Sequence, residues 1–118
     1  MAYHDDPTLL KIKGDNGHYL HVGNGETRKP ESPEEVDEAR KQYIKKLSSA
    51  ILTVIGKHGS AKLKAVGAPS ISNALKALII ARGEGSKKGL DLVVEPSFDN
   101  AEFDGSVKTA IVMKVVTR

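Results

Sequence analysis

The residues with the most evident chemistry stand around one glycine-proline turn in the second half of the chain. Gly67, Ser70, Ser72 and Asn73 flank Pro69, where a helix is expected to open, and Lys76 lies one turn beyond Asn73. The first N–H groups of a helix lack intrahelical acceptors and stand at the positive end of its dipole, so this constellation suits a phosphate. Ordinary capping uses the same residue types. A second candidate is Arg28-Lys29, two adjacent long cations within a glycine- and proline-rich stretch, which can reach phosphate oxygens. Lys62, Lys64, Lys87 and Lys88 are surface lysines that would extend such a basic face.

Other chemistries find little support. His18 and His21 are three apart, and along a strand that spacing puts them on opposite faces, so they cannot share a metal ion. With no cysteine, thiolate metal sites, disulfides and a cysteine nucleophile are all excluded. His58 has no neighbouring residue that marks it as a base, and no serine triad context is evident. GEGSKKG lacks P-loop spacing. Tyr3, Tyr19, Tyr43, Phe98 and Phe103 are too scattered for a base-stacking platform, and Tyr43 is expected in the core. No metal, no cofactor and no catalytic residue is predicted.

The elements that must position these residues follow from patterning. TLLKIK, Thr8 to Lys13, reads as a strand ending at the turn-rich GDNG, with HYLHVG as a second strand folding back over that turn. Asn24 to Pro33 reads as an exposed loop. Ser32-Pro33-Glu34-Glu35 carries a capping serine, a first-turn proline and a glutamate three residues after the serine, so a helix starts there. Val36, Ala39, Tyr43, Leu47, Ala50 and Val54 give it an apolar stripe ending near Gly56 or Gly59. KLKAV, Lys62 to Val66, alternates as a strand. The helix from Pro69 is apolar at almost every position from Ala74 to Ala81 except Lys76, which calls for cover on more than one side. Gly83, Gly85 and Gly89 predict a loop with Lys87 and Lys88 at its crest. Two branched-rich strands, LDLVVEPSF and VKTAIVMKVV, then form a hairpin whose longer tip is DNAEFDGS.

At 118 residues the chain has the length of one domain spanning 1–118, with 14–33 as an inserted loop or hairpin. Its 18 Lys and Arg against 15 Asp and Glu leave a net charge of only +3, weak evidence for a polyanion partner. Neither a signal-peptide pattern nor a run of the roughly 20 apolar residues that span a bilayer is evident. The expected setting is cytoplasmic, or nuclear in a eukaryote, with no membrane partner.

AVGAPSISNALKALIIARG, Ala65 to Gly83, resembles the central signature of the stage V sporulation protein S family: a strand, a glycine-bearing turn, and an alanine-rich helix ending in IARG. GLDLVVEPSFDNAEFDGSVKTAIVMKVV resembles that family's closing hairpin. Together the likenesses run from about Leu47 to Val116. The resemblance implies an Alba-like α/β fold (α+β two-layer, β-α-β-α-β-β), a four-stranded mixed sheet with two helices on one face. It also implies a dimer, DNA or RNA as ligand, and no enzymatic activity. Arg28 and Lys29 occupy roughly the place of the Alba lysine pair.

Two departures stand out. About twenty residues lie between Lys13 and Glu34 where relatives have a short link, so either TLLKIK or HYLHV is the first core strand. The hairpin tip holds Asp99, Glu102 and Asp104, whose carboxylates argue against its insertion beside phosphates. The expected function is a non-enzymatic nucleic-acid-binding homodimer contacting the backbone through Arg28, Lys29, Gly67, Ser70, Ser72, Asn73 and Lys76. The rival is a protein-interaction module with a developmental or regulatory role.

Overall fold

The computed structural model describes residues 6–14 and 18–118, apart from the side chain of Phe103. Most of the expected GDNG turn, together with Tyr3, lies outside the described residues. The elements run β1 (Leu9–Lys11), β2 (Leu20–His21), β3 (Thr27–Arg28), α1 (Pro33–His58), β4 (Ser60–Ala65), α2 (Ala68–Ser86), β5 (Leu92–Phe103) and β6 (Ser106–Thr117). A four-stranded mixed sheet has the order β1-β4-β6-β5, with β1 parallel to β4 and the other pairs antiparallel. TLLKIK therefore supplies the first core strand.

The expected pairing of HYLHVG with TLLKIK does not form. β2 pairs instead with β3, Leu20 opposite Arg28, as a separate two-stranded ribbon. Its tight turn, with Asn24 and the flanking glycines at positive φ, folds part of the expected 24–33 loop into structure. The ribbon lies against α1: the Gln42 side chain accepts from the His21 N–H at 2.8 Å and donates to the His21 carbonyl at 3.1 Å. Gln42 thus acts as a short neighbouring strand.

Helix α1 begins as its sequence dictates. The Ser32 hydroxyl accepts from the Glu35 N–H at 3.2 Å, Pro33 fills the first turn, and Gly59 ends the helix in the left-handed conformation at φ 83°. The buried stripe is Ala39, Ile44, Leu47, Ile51 and Ile55, while Val36 is exposed and Tyr43, Ala50 and Val54 are half-buried. Both phases obey helical spacing, and the larger isoleucines take the side facing the sheet.

In β4, Ala61, Leu63 and Ala65 are buried and alternate with the half-buried Ser60, Lys62 and Lys64. Opposite them on β6 stand Val115, Met113 and Ile111, so one sheet face carries the core and both helices cover it. Ile51, Leu63 and Val115 are among the largest side chains buried completely.

Two expectations at the back of the chain need correction. Helix α2 continues through Gly83 and Gly85 to Ser86, because Gly85 is buried against Leu52 and Leu92. Packing there outweighs the helix cost of glycine, about 1 kcal/mol each. The hairpin has no long tip: pairing continues to Phe103 opposite Ser106, and Asp104-Gly105, at φ 48° and 78°, make a two-residue turn. DNAEF is strand, so its carboxylates belong to a stiff arm.

Candidate nucleic-acid interface

Where the chain leaves β1 it is held from both helices. The Ile12 N–H donates to the Lys64 carbonyl at 2.9 Å, extending the β1 register by one residue. The Lys13 N–H then donates to the Tyr43 hydroxyl of α1 at 2.9 Å, and the Lys13 carbonyl accepts from Asn73 Nδ2 of α2 at 3.1 Å. Tyr43, half-buried, also stacks on His18 with ring centroids 4.4 Å apart. Asn73 is 1 % exposed, so this clamp is interior. Its consequence is that the Lys13 side chain is presented outward at a fixed backbone position.

That position borders a groove of about 700 Å³ between the ends of β1 and β4, the start of α2 and the β5–β6 arm. Lys11, Lys13 and Lys64 line it from the sheet, Ser70 from α2, and Asn100 and Glu102 from the arm. Lys64 is committed to holding the arm: its ammonium meets Asp99 Oδ2 at 3.2 Å and the Asn100 carbonyl at 2.7 Å. The Asn100 N–H bonded to the Asp99 carboxylate, with Lys64 adding to it, keeps that carboxyl below its usual range. Lys11 and Lys13 are exposed and form no ion pair among the described residues.

The α2 end of the groove is an uncapped helix start. Gly67 is the N-cap and offers no side chain, Pro69 lacks an N–H, and no acid stands in the first turn. The N–H groups of Ala68 and Ser70 have no intrahelical acceptor. Ser70 is 6 % exposed, lines the groove, and its hydroxyl has no hydrogen-bond partner among the described residues.

Of the residues singled out from sequence, Gly67, Ser70 and Asn73 come together at this place. Asn73 serves as the clamp on Lys13, facing inward. Ser72 is half-buried and Lys76 is exposed further along α2. Arg28 and Lys29 stand elsewhere, on the ribbon beside the start of α1. The Arg28 guanidinium grips Glu35 as a fork, with the Nη1–Oε1 distance 2.8 Å, and also meets Glu31 at 3.4 Å. Hydrogen bonds from Arg28 first, then from the Glu31 N–H, hold the Glu35 carboxyl down at about 2, and Glu35 in turn raises Arg28.

Lys87 and Lys88 lie past the far end of a 19-residue helix, roughly 28 Å away at 1.5 Å per residue, so they cannot extend the groove. On the open face of the sheet Lys62 stands opposite Lys114, which stands opposite Glu95. Lys62 also meets Asp6 Oδ2 at 3.1 Å. Hydrogen bonds from the Thr8 hydroxyl and N–H, with help from Lys62, lower Asp6 to about 2.

Lys11 and Lys13, which border the groove, are not among the lysines singled out from sequence. The signal was present: LLKIK and AKLKA both alternate, and parallel pairing sets Lys11 beside Lys64. Among the described residues no group of three or more His, Cys, Asp or Glu is placed to hold a metal, and no helix is long and apolar enough to cross a membrane.

A family model described as Stage V sporulation protein S matches residues 37–118. The match takes in nearly all of α1, then β4, α2 and the β5–β6 arm, including Lys64, Ser70, Asn100 and Glu102, and leaves Lys11, Lys13 and the β2–β3 ribbon outside it. Over well more than half its length, the chain therefore belongs to the stage V sporulation protein S family.

Proposed function

We propose that this protein binds nucleic acid without catalysis, through phosphate contacts at the groove beside α2. The observation that carries the reading is convergence: the two exposed lysines of the β1 exit and the N–H and hydroxyl of Ser70 at the start of α2 border one cavity. Each is a donor suited to a phosphate oxygen, and none needs a base edge. Lys76 on α2 and Lys29 on the ribbon, both exposed, add outer contacts away from the groove, while Arg28 is held by Glu35. The expected compartment is the cytoplasm, or the nucleus in a eukaryote.

The assembly in this reading is a homodimer. Leu75, Ile79 and Ile80 of α2 are exposed, Ile79 to 70 %, and so is Phe98 of β5 to 79 %. Val94 and Phe98 pair with Val115 and Ile111, so they lie on the helix-bearing face of the sheet, and both stay exposed there. A second copy laid against this surface removes apolar area from water on both chains. The same surface favours a second reading, in which it docks a different protein in a developmental or regulatory role.

Charge reversal separates the two. Lys11→Glu with Lys13→Glu should weaken binding of unrelated DNA or RNA sequences about equally while the fold persists, since phosphate contacts carry no sequence information. Unchanged binding, or no binding by the parent protein at any salt concentration, would remove the phosphate reading and leave the protein-partner one.

A further inference from the structure

We propose that the groove takes a single unpaired nucleotide of a single-stranded nucleic acid, guanine before the other bases. The inference rests on the nucleic-acid reading above and deepens it. Two observations carry it: the size of the cavity and the unlike chemistry of its two walls.

A cavity of about 700 Å³ is of small-ligand size, in the range of roughly 300–1,000 Å³ typical of such pockets. A duplex cannot enter it, whereas one nucleotide can. On the α2 and β1 side the wall is cationic and rich in donors: Lys11, Lys13, and the N–H and hydroxyl of Ser70. Ser70 lines this cavity, and its hydroxyl has no hydrogen-bond partner among the described residues. A phosphate oxygen can accept from both its N–H and its hydroxyl.

The opposite wall would repel that same phosphate. Asp99 is neutralised by Lys64, but the Glu102 carboxylate is exposed and has no ion pair among the described residues. A backbone running along the arm would meet Glu102 and Asp104; a base edge turned toward it would meet an acceptor. The walls therefore orient a nucleotide, phosphate to α2 and base to the arm. Ile12, Val66 and Ala101 supply apolar surface between them.

A carboxylate selects among bases by their donors. Guanine alone offers two adjacent ones, N1–H and the N2 amino group, which one carboxylate can accept together. Uracil and thymine set carbonyl oxygens on either side of their single N–H, and those oxygens repel Glu102. In a duplex the guanine donors are bonded to cytosine, so the edge is available only on an unpaired strand. The acids that argue against duplex insertion thus become the readers of a single strand.

Fluorescence anisotropy tests this with short uridine or thymidine strands, with and without one central guanine, and with the guanine strand annealed to its complement. The guanine strand should bind roughly five- to tenfold more tightly than the homopolymer, the lower part of the range for a bidentate base contact. Annealing should abolish the advantage, and so should Glu102→Gln, whose amide cannot accept at both positions. Equal binding of all strands, or a guanine advantage that survives Glu102→Gln, would overturn the proposal. Salt-sensitive binding indifferent to strandedness would overturn it alone, leaving the phosphate reading standing. Absence of binding to every probe would end both.

Discussion

Asn73→Ala tests whether the clamp on Lys13 holds the β1 exit in place. Asn73 is 1 % exposed and gives Nδ2 to the Lys13 carbonyl at 3.1 Å. Truncation removes a buried hydrogen bond and leaves a carbonyl short of a donor, which costs about 1–3 kcal/mol. For a chain of this length each kcal/mol corresponds to roughly 4 °C in Tm, so a fall of about 4–12 °C is expected. Thermal and urea denaturation followed by circular dichroism measure it, with an unchanged urea slope showing that the native state is otherwise intact. Asn73→Asp should be worse, since a carboxylate oxygen would face the carbonyl oxygen inside the protein. If Asn73→Ala melts within a degree of the parent, or if the aspartate variant is the milder of the two, the clamp is not a structural tie.

Three further outcomes follow from the same geometry. Glu35 and Asp6 are both held at about 2 in the folded protein, below their ordinary values of 4.5 and 3.8, so the stability they contribute is present above those values and is lost as pH falls toward 2. Glu35→Gln should flatten the acid limb of a Tm-against-pH curve over that window, and an unchanged limb would refute the pairing with Arg28. Leu63→Ala, at a fully buried centre of the sheet, should cost about 2–5 kcal/mol in urea denaturation, and a cost under 1 kcal/mol would contradict its place in the core. Ile79→Asp should shift sedimentation from dimer to monomer at micromolar concentration; a parent protein that is already monomeric there would remove the dimer.

Much of the architecture was legible because local signals and tertiary packing agreed. Ser32-Pro33-Glu34-Glu35 set the start of α1, of the two glycines expected to end it Gly59 is the cap, and the alternation in KLKA oriented β4 correctly. Sequence patterning went astray where long-range contacts decided. HYLHV and TLLKIK both read as strands, and the partner each took depended on β4 and on Gln42 of α1. Gly83 and Gly85 read as loop because glycine disfavours helix, yet Gly85 is buried beside Leu52, Leu90 and Leu92, and that packing carries the helix on to Ser86. The candidate site was half legible. A proline-opened helix announces free N–H groups in any sequence, so the place of Ser70 at the start of α2 was legible. Lys11 and Lys13 stand beside it only because Tyr43, Asn73 and the Lys64 carbonyl, 30 to 60 residues away, hold the β1 exit there. Arg28 was chosen for its charge and its place before α1, and the structure spends that charge on Glu35.

The central claim is that the groove neutralises phosphate, and the slope of binding against salt measures that most directly. Each phosphate contact contributes about 0.7 to the slope of log K against log salt for a single strand and about 0.9 for B-DNA. The parent protein should show a clear negative slope, and Lys11→Gln with Lys13→Gln should make it shallower by roughly 1.5 units, two contacts' worth. A slope near zero for the parent, or the same slope for the double variant, would contradict the account.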